Sequence, residues 1–313
     1  IAFAVDRFVC TSVSKRSLRS VVFDLPELSV TKSITHDALS RLKKRLKSAY
    51  HSFTQGEEDF KNILKAPFEL AQFVFINTLD RVRSRLAGLK VKTHSAIPKG
   101  CGMGSSAAMA LSMTAAVVGH YGMRLTREEY LALVDDAEKL QHGYPSGLDM
   151  QTSFDGGCVY FHAGKLTPCE LPDFPLYVVN TGTPAVSTGD CVVDVKSRFE
   201  SDDPIWQAFS TLTHTFASTL SEMTLEKFKQ FICENEQLLE RLGVVPTRVV
   251  NFIRDIERAN GSAKICGAGA ISGDNAGMVL IVSDDEPAMT LVCQQHGFSL
   301  DSICVSHEGL ISG

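Results

Sequence analysis

Glu138 and Asp149 are the residues whose types and placing most plainly allow chemistry. Two carboxylates serving one site suit phosphoryl transfer, in which one holds a magnesium ion and the other orients a hydroxyl nucleophile and takes its proton. Glu138 comes one turn after Val134, at the edge of an apolar face formed by Tyr130, Leu133, Val134 and Ala137, so it can point inward at a helix end. Gly143, Pro145 and Gly147 then break the helix in a tight loop that brings Asp149 back near it. The same residues also fit a surface carboxylate and an aspartate in a turn. His142, a single histidine without an evident partner, specifies no mechanism.

A phosphate would need its own cradle, and the stretch Ile97 to Ala108 has the composition for one. Gly100, Gly102 and Gly104 let the backbone approach an anion, and the helix that follows offers unpaired N–H groups and a positive dipole end. Ser105 and Ser106 can cap that helix, and a hydroxyl there can reach a magnesium ion bridging phosphates. No lysine precedes these serines, which excludes a P-loop, and Ser105 or Ala107 falls where a dinucleotide fingerprint needs its third glycine. A plain glycine turn with serine caps remains open. So does a structural bulge for the later Gly267-Ala268-Gly269.

The elements that must position these groups follow from periodicity. Short strands are predicted over about 1–13 and 20–25, a helix from His36, a second helix from Phe68 to Leu86, and a strand from Leu89 to Ala96. An apolar helix covers Ser106 to His120, and Thr126 with Glu129 forms a capping box that starts the helix bearing Glu138. Beyond the turn at Asp155-Gly156-Gly157 come a strand at 158–162, a strand at 176–180, and helices near 191–199, 204–220, 224–242 and 247–260. Strands at 278–282 and 298–305 flank a last helix near 286–296. Strands and helices mixed in both parts argue for α+β or α/β layering in two domains, 1–174 and 175–313.

Composition narrows the function classes. A chain of 313 residues, 44% hydrophobic, can bury a substantial core, and a net charge of -5 disfavours a general nucleic-acid binder. The basic run Arg41, Lys43, Lys44, Arg45 and Lys47, interleaved with leucines, reads as a solvated helix face. Nine cysteines without zinc spacing indicate neither a disulfide framework nor a structural metal, so a reducing cytoplasm is the expected setting. Cys101 and Cys266 inside the loops read as packing residues. No apolar stretch is long enough for a bilayer, so no membrane association is expected. The chain begins at Ile1 with no signal pattern ahead of its apolar run, and a natural upstream segment is expected.

Taken in order, these stretches resemble the GHMP kinases. P-x-x-x-G-x-G-S-S-A-A appears as Pro98 to Ala108, and the later glycine motif as Lys264 to Gly269. Between them, E followed after three residues by H-G-x-P-S-G-x-D, here Glu138 to Asp149, is what mevalonate kinases carry. Gly156-Gly157, the run from Asn180-Thr181 to Ser187-Thr188, and Ser197-Arg198-Phe199 are also similar to that family. The resemblance implies an N-terminal α+β nucleotide-binding domain and a ferredoxin-like C-terminal domain, with ATP and mevalonate in a cleft between them. It implies phosphate contacts from Gly102, Gly104, Ser105, Ser106, Ala107, Gly267 and Gly269, and Mg2+ ligation by Ser106 and Glu138. Asp149 would be the base toward the substrate hydroxyl, with His142, Ser146 and Thr188 lining the substrate, and a homodimer follows by analogy.

Three departures accompany the resemblance. The family's first motif, a P-G-K followed by G-E-H, lies ahead of the strand that Ile1 begins, so its lysine has no counterpart here. Gly269 leads into Ala270 to Gly277 where further glycines are usual, and Ala185-Val186 stand where mammalian-type enzymes place an arginine. The rivals are a GHMP kinase for another mevalonate hydroxyl, a sugar or homoserine, and a non-catalytic relative that binds nucleotide or metabolite.

Overall fold

The structure, a computed structural model, describes residues 1–82, 88–162 and 164–311. Its first elements are β1 (Ala2–Phe3), β2 (Val9–Arg16), β3 (Val21–Leu25), β4 (Val30–Ile34), α1 (His36–Thr54), α2 (Glu69–Arg81) and β5 (Gly88–Ser95). Then come α3 (Ser105–His120), α4 (Arg127–His142), α5 (Leu148–Asp155), β6 (Cys158–His162), β7 (Lys165–Cys169) and β8 (Leu176–Asn180). The remaining elements are α6 (Thr188–Arg198), α7 (Pro204–Ser218), α8 (Leu225–Leu242), α9 (Thr247–Arg258), β9 (Ser262–Ile265), β10 (Met278–Val282), α10 (Glu286–Gln295) and β11 (Leu300–Ile303). The expected continuation of α2 to Leu86 lies outside the described residues.

The chain divides into two compact units, each assembled from separate segments. One comprises Ile1–Asp6, Pro98–Met103 and Gly157–His307; the other comprises Arg7–Ile97, Gly104–Gly156 and a terminal piece from Glu308. Residue 174, where the sequence suggested a boundary, falls inside the first of these.

In the segmented unit that includes Gly104–Gly156, a sheet of order β2-β5-β3-β4 packs against helices. β3 lies parallel to β5 and the other pairs are antiparallel. Its core joins Val21, Phe23, Leu89 and Val91 of the sheet to Phe73, Phe75 and Ile76 of α2 and to Leu111, Met113 and Val117 of α3. α3 is rich in alanine and apolar on most sides, which is why it is the buried helix. The basic face of α1 is tied to acids within the same unit, Lys43 to Asp80 at 2.7 Å and Lys47 to Asp136 at 3.4 Å. That is a solvated, partly paired face.

The unit that includes Gly157–His307 holds an antiparallel sheet of order β11-β8-β10-β9 and a smaller sheet β1-β6-β7. Numbering its four principal strands in chain order gives 4-1-3-2, the ferredoxin-like split βαβ arrangement expected from the family resemblance. β10 is buried at every position, as a central strand covered on both faces must be. Val249, Phe252, Ile253 and Ile256 of α9 cover one face with β9 and β10 side chains, and Phe216, Phe228 and Ile232 lie with Leu176, Val178 and Leu280 in a second cluster.

Candidate active site

α4 begins with the capping box read from the sequence: the Thr126 hydroxyl accepts from the Glu129 N–H, and the Glu129 carboxylate accepts from the Thr126 N–H. With its start fixed, α4 carries Glu138 and His142 on one side, one turn apart. Glu138 is only 4% exposed, and its Oε1 has no hydrogen-bond partner. Burial pushes its carboxyl up to about 7; the bonded Ser106 hydroxyl opposes this, and the Asp149 and Asp135 charges add to it. His142 Nε2 lies 3.2 Å from Ser106 Oγ and 3.7 Å from Glu138 Oε2. Burial lowers the imidazole pKa, with Asp149 opposing, so His142 is predominantly neutral near pH 7.

Gly143 ends α4 with φ 75° and ψ −67°, a conformation suited to glycine, and the Tyr144 N–H donates to the His142 carbonyl across it at 2.9 Å. The Tyr50 hydroxyl of α1 donates to the Gly143 carbonyl at 2.9 Å, and Phe53 and Phe60 pack beneath. Ser146 is exposed and accepts from the Leu148 N–H at 3.3 Å. Asp149 then sits in the first turn of α5, a helix absent from the sequence reading. Its surface is open to solvent, yet partial desolvation by the surrounding protein raises its carboxyl above the usual range, and His142 pulls the other way.

Gly104 is the N-cap of α3, with φ 62°, and Ser105 and Ser106 form the first turn. A Cβ at Gly104 would stand 3.3 Å from the Asp149 Cβ and 3.5 Å from its Oδ2, so only backbone separates the helix start from that carboxylate. Ala107 is fully buried. Gly104, Ser105, Ser106, Ala107, Glu138, His142 and Asp149 are therefore gathered within one unit. The arrangement offers hard oxygen donors to a cation, and free helix N–H groups to an anion beside a neutral imidazole.

The other expected residues belong to the other unit. A Cβ on Gly102 would meet the Cys266 carbonyl oxygen at 2.4 Å, and one on Gly267 would meet the Gly102 Cα at 2.6 Å. The two glycine loops thus pack backbone on backbone. The Cys101 carbonyl accepts from the Met278 N–H at 2.9 Å, which stitches the first loop to β10. Thr188 is exposed at the first position of α6, whose Cys191 thiol donates to the Gly269 carbonyl at 3.7 Å. This brings the start of α6 alongside the second glycine loop.

Sequence reading did not single out Thr181 as a clamp. Its hydroxyl donates to the Gly277 carbonyl at 2.8 Å and accepts from the Ala276 N–H at 3.0 Å. It also passed over Glu236, fully buried in α8. The signal was present: Glu236 follows Phe228 and Ile232 at helical spacing, which puts an acid in the apolar stripe.

A helix-start glycine-serine loop in an α+β unit, with a ferredoxin-like sheet in the companion unit, defines a GHMP-type small-molecule kinase fold. Residues 70–157 match the family described as GHMP kinases N terminal domain. The crystal structure of the Methanococcus jannaschii mevalonate kinase superposes with a TM-score of 0.80 at 20% identity, covering 97% of this chain and 90% of that one. Among curated relatives, the mevalonate kinase of Thermococcus gammatolerans is 31% identical over 232 residues, 70% of this chain and 69% of that protein. That of Pyrococcus horikoshii is 32% identical over 192 residues, 58% of this chain and 57% of its own length. The chain belongs to the mevalonate kinase family.

Proposed function

We propose that this protein transfers the γ-phosphoryl group of ATP to the 5-hydroxyl of mevalonate, giving 5-phosphomevalonate and ADP for isoprenoid synthesis. The observation that carries the reading is the convergence of Glu138, His142, Ser106 and Asp149 at the start of α3. In this reading the N–H groups after Gly104, together with Ser105, Ser106 and Ala107, receive phosphate oxygens. Gly102, Gly267 and Gly269 supply further backbone approach.

Magnesium fits the residues present. Among the described residues no group of three or more His, Cys, Asp or Glu could hold a metal by itself. One orphaned buried carboxylate beside a serine hydroxyl is the donor set that this ion uses when phosphates and water complete its shell. Glu138 and Ser106 would hold it, and when bound it would neutralise phosphate charge.

Asp149 orients the alcohol and accepts its proton as the new oxygen–phosphorus bond forms and the bond to the leaving ADP oxygen breaks. His142, Ser146 and Thr188 contribute contacts to the substrate. The reading also takes the protein to be cytoplasmic, in keeping with nine free cysteines, and homodimeric. No described helix is long and apolar enough to cross a membrane.

The test is ADP release with mevalonate, phosphomevalonate, homoserine and galactose in turn, using a chain that includes any natural segment upstream of Ile1. Turnover confined to mevalonate is expected. Turnover with another alcohol would reassign the substrate, and none with any would favour a binding relative.

A further inference from the structure

β9 is an edge strand, bonded to β10 on one side only. An edge leaves every second residue with its N–H and C=O pointing away from the sheet, and such groups need partners when buried. In β9 those residues are Ala263 and Ile265, both fully buried; the residue immediately ahead of the glycine loop is Ile265. Its N–H donates to Glu236 Oε2 at 2.9 Å, and its carbonyl accepts from Lys264 Nζ at 2.8 Å. The next residue, Cys266, returns its N–H to the Met278 carbonyl of β10 at 2.8 Å. Two side chains of opposite charge therefore stand where a neighbouring strand would be.

Glu236 is an unusual choice for this task. It has no exposed surface, and its Oε1 has no hydrogen-bond partner. An ionised carboxylate with an unsatisfied oxygen is costly to bury, so the charge state of Glu236 decides how firmly it can hold an amide N–H. What it holds has little slack. Gly267 packs on the Gly102 backbone without room for a Cβ, and a Cβ on Gly269 would meet the Val244 carbonyl oxygen at 2.1 Å. A small displacement of Ile265 must alter this packing.

We propose that Glu236 is a positioning residue for nucleotide binding: with Lys264 it acts as a surrogate strand that anchors Ile265 and so sets the shape of the loop Cys266–Gly269. The inference rests on the kinase reading only where it names the nucleotide. The anchor is sensitive to proton concentration, because burial pushes the Glu236 carboxyl up to about 7; the Ile265 N–H, Lys264 and Arg254 oppose the rise, and Glu240 adds to it. Arg254 is itself bound by Glu240 and Glu257, and the Cys266 thiol also faces Glu236. A carboxyl raised above its unfolded value is held most stably when protonated, so as pH rises through about 7 Glu236 ionises, its burial becomes costly, and the loop loosens.

Amide hydrogen exchange of the full chain without nucleotide tests the anchor independently of activity. After correction for intrinsic rates, protection of residues 262–270 should fall by roughly fivefold as pH rises from about 6 to about 8 in the wild type. Glu236→Gln, which cannot ionise, should hold its protection at both values, and Glu236→Ala, which removes the acceptor, should show the lower protection at both. Glu236→Ala should also raise KM for ATP by roughly threefold or more while kcat stays within about twofold, the pattern of lost ground-state binding. Protection that does not change with pH in the wild type, which needs no variant to fold, overturns the proposal. So does a Glu236→Gln chain that keeps the wild-type pH response, or a Glu236→Ala chain that keeps the wild-type nucleotide KM. Failure of the kinase reading would appear instead as no turnover with any alcohol, with the exchange result intact.

Discussion

The start of α3 and the loop after β9, both assigned to phosphate in the proposed reading, are built from different materials. Beside Gly104 lies the Asp149 carboxylate, and the turn it starts carries the Ser106 hydroxyl against the His142 imidazole, which in turn neighbours the buried Glu138. Around Gly267 and Gly269 the nearest groups are the backbone of Gly102 and Val244 and the apolar Ile265 side chain. The first region is sensitive to changes of charge and proton position, the second to the addition of a single carbon. Substitutions can therefore separate chemistry from shape.

The largest effect is expected at Asp149. Asp149→Asn keeps the side-chain size but cannot take the alcohol proton, so kcat should fall by roughly 10²- to 10⁴-fold. KM for mevalonate should move far less, because contacts of the neighbouring loop persist. Steady-state kinetics beside a circular dichroism check read this directly, and a well-folded variant with near-normal kcat would take the base assignment away from Asp149.

Glu138→Gln should separate function from stability. A carboxyl raised from its ordinary value to about 7 favours the folded state below the unfolded pKa, and that contribution is lost as pH rises from about 4.5 through about 7. At about pH 8 without nucleotide the amide should therefore be the more stable form, by up to about 3 kcal/mol in denaturant unfolding. The same variant should lose magnesium-dependent turnover. In the wild type, magnesium-nucleotide affinity should rise with pH through about 7, because metal binding needs the ionised carboxylate. An unchanged magnesium dependence in the variant would remove Glu138 from the ligand set.

Gly267→Ala probes the backbone-built loop. The left-handed conformation at φ 70° costs an alanine about 1–2 kcal/mol, and its Cβ would lie 2.6 Å from the Gly102 Cα. Raised KM for ATP with smaller loss of kcat is expected, the reverse of Asp149→Asn. Equal loss of both would show that shape and chemistry are not separable here. The smallest effect belongs to Tyr50→Phe, which deletes one hydroxyl bond to the Gly143 carbonyl. It should cost about 1 kcal/mol in thermal unfolding.

The helices bearing the candidate site were legible because their signals are local. The capping box at Thr126, the apolar run of α3 and the glycines that stop α4 all act within a few residues. β7 was not expected, since Lys165 to Cys169 is polar and carries Pro168, features tolerated at a sheet edge. β9 has four residues, too few for a periodic pattern, and α5 has eight, directly after a turn. Gly102 could be read as permissive, but not as packed on Gly267, because that contact joins residues far apart in the chain. Nor could spacing reveal that the glycine loop before α3 is shared out, with Met103 assigned to one unit and Gly104 to the other.

That last feature bears on how such a protein can be cut and recombined. The chain changes unit after Asp6, Ile97, Met103, Gly156 and His307, so neither unit is encoded by one stretch of gene. A fragment starting at residue 175 would lack β1, β6, β7 and the piece containing Cys101 and Met103. It would thereby expose the cluster in which Ile1, Phe3, Cys101, Met103 and Cys169 pack with Leu176, Val178 and Ile303. Chimeras made by a single crossover between relatives would splice mismatched segments into both units at once. Exchange of one whole unit requires its three segments to be transplanted together.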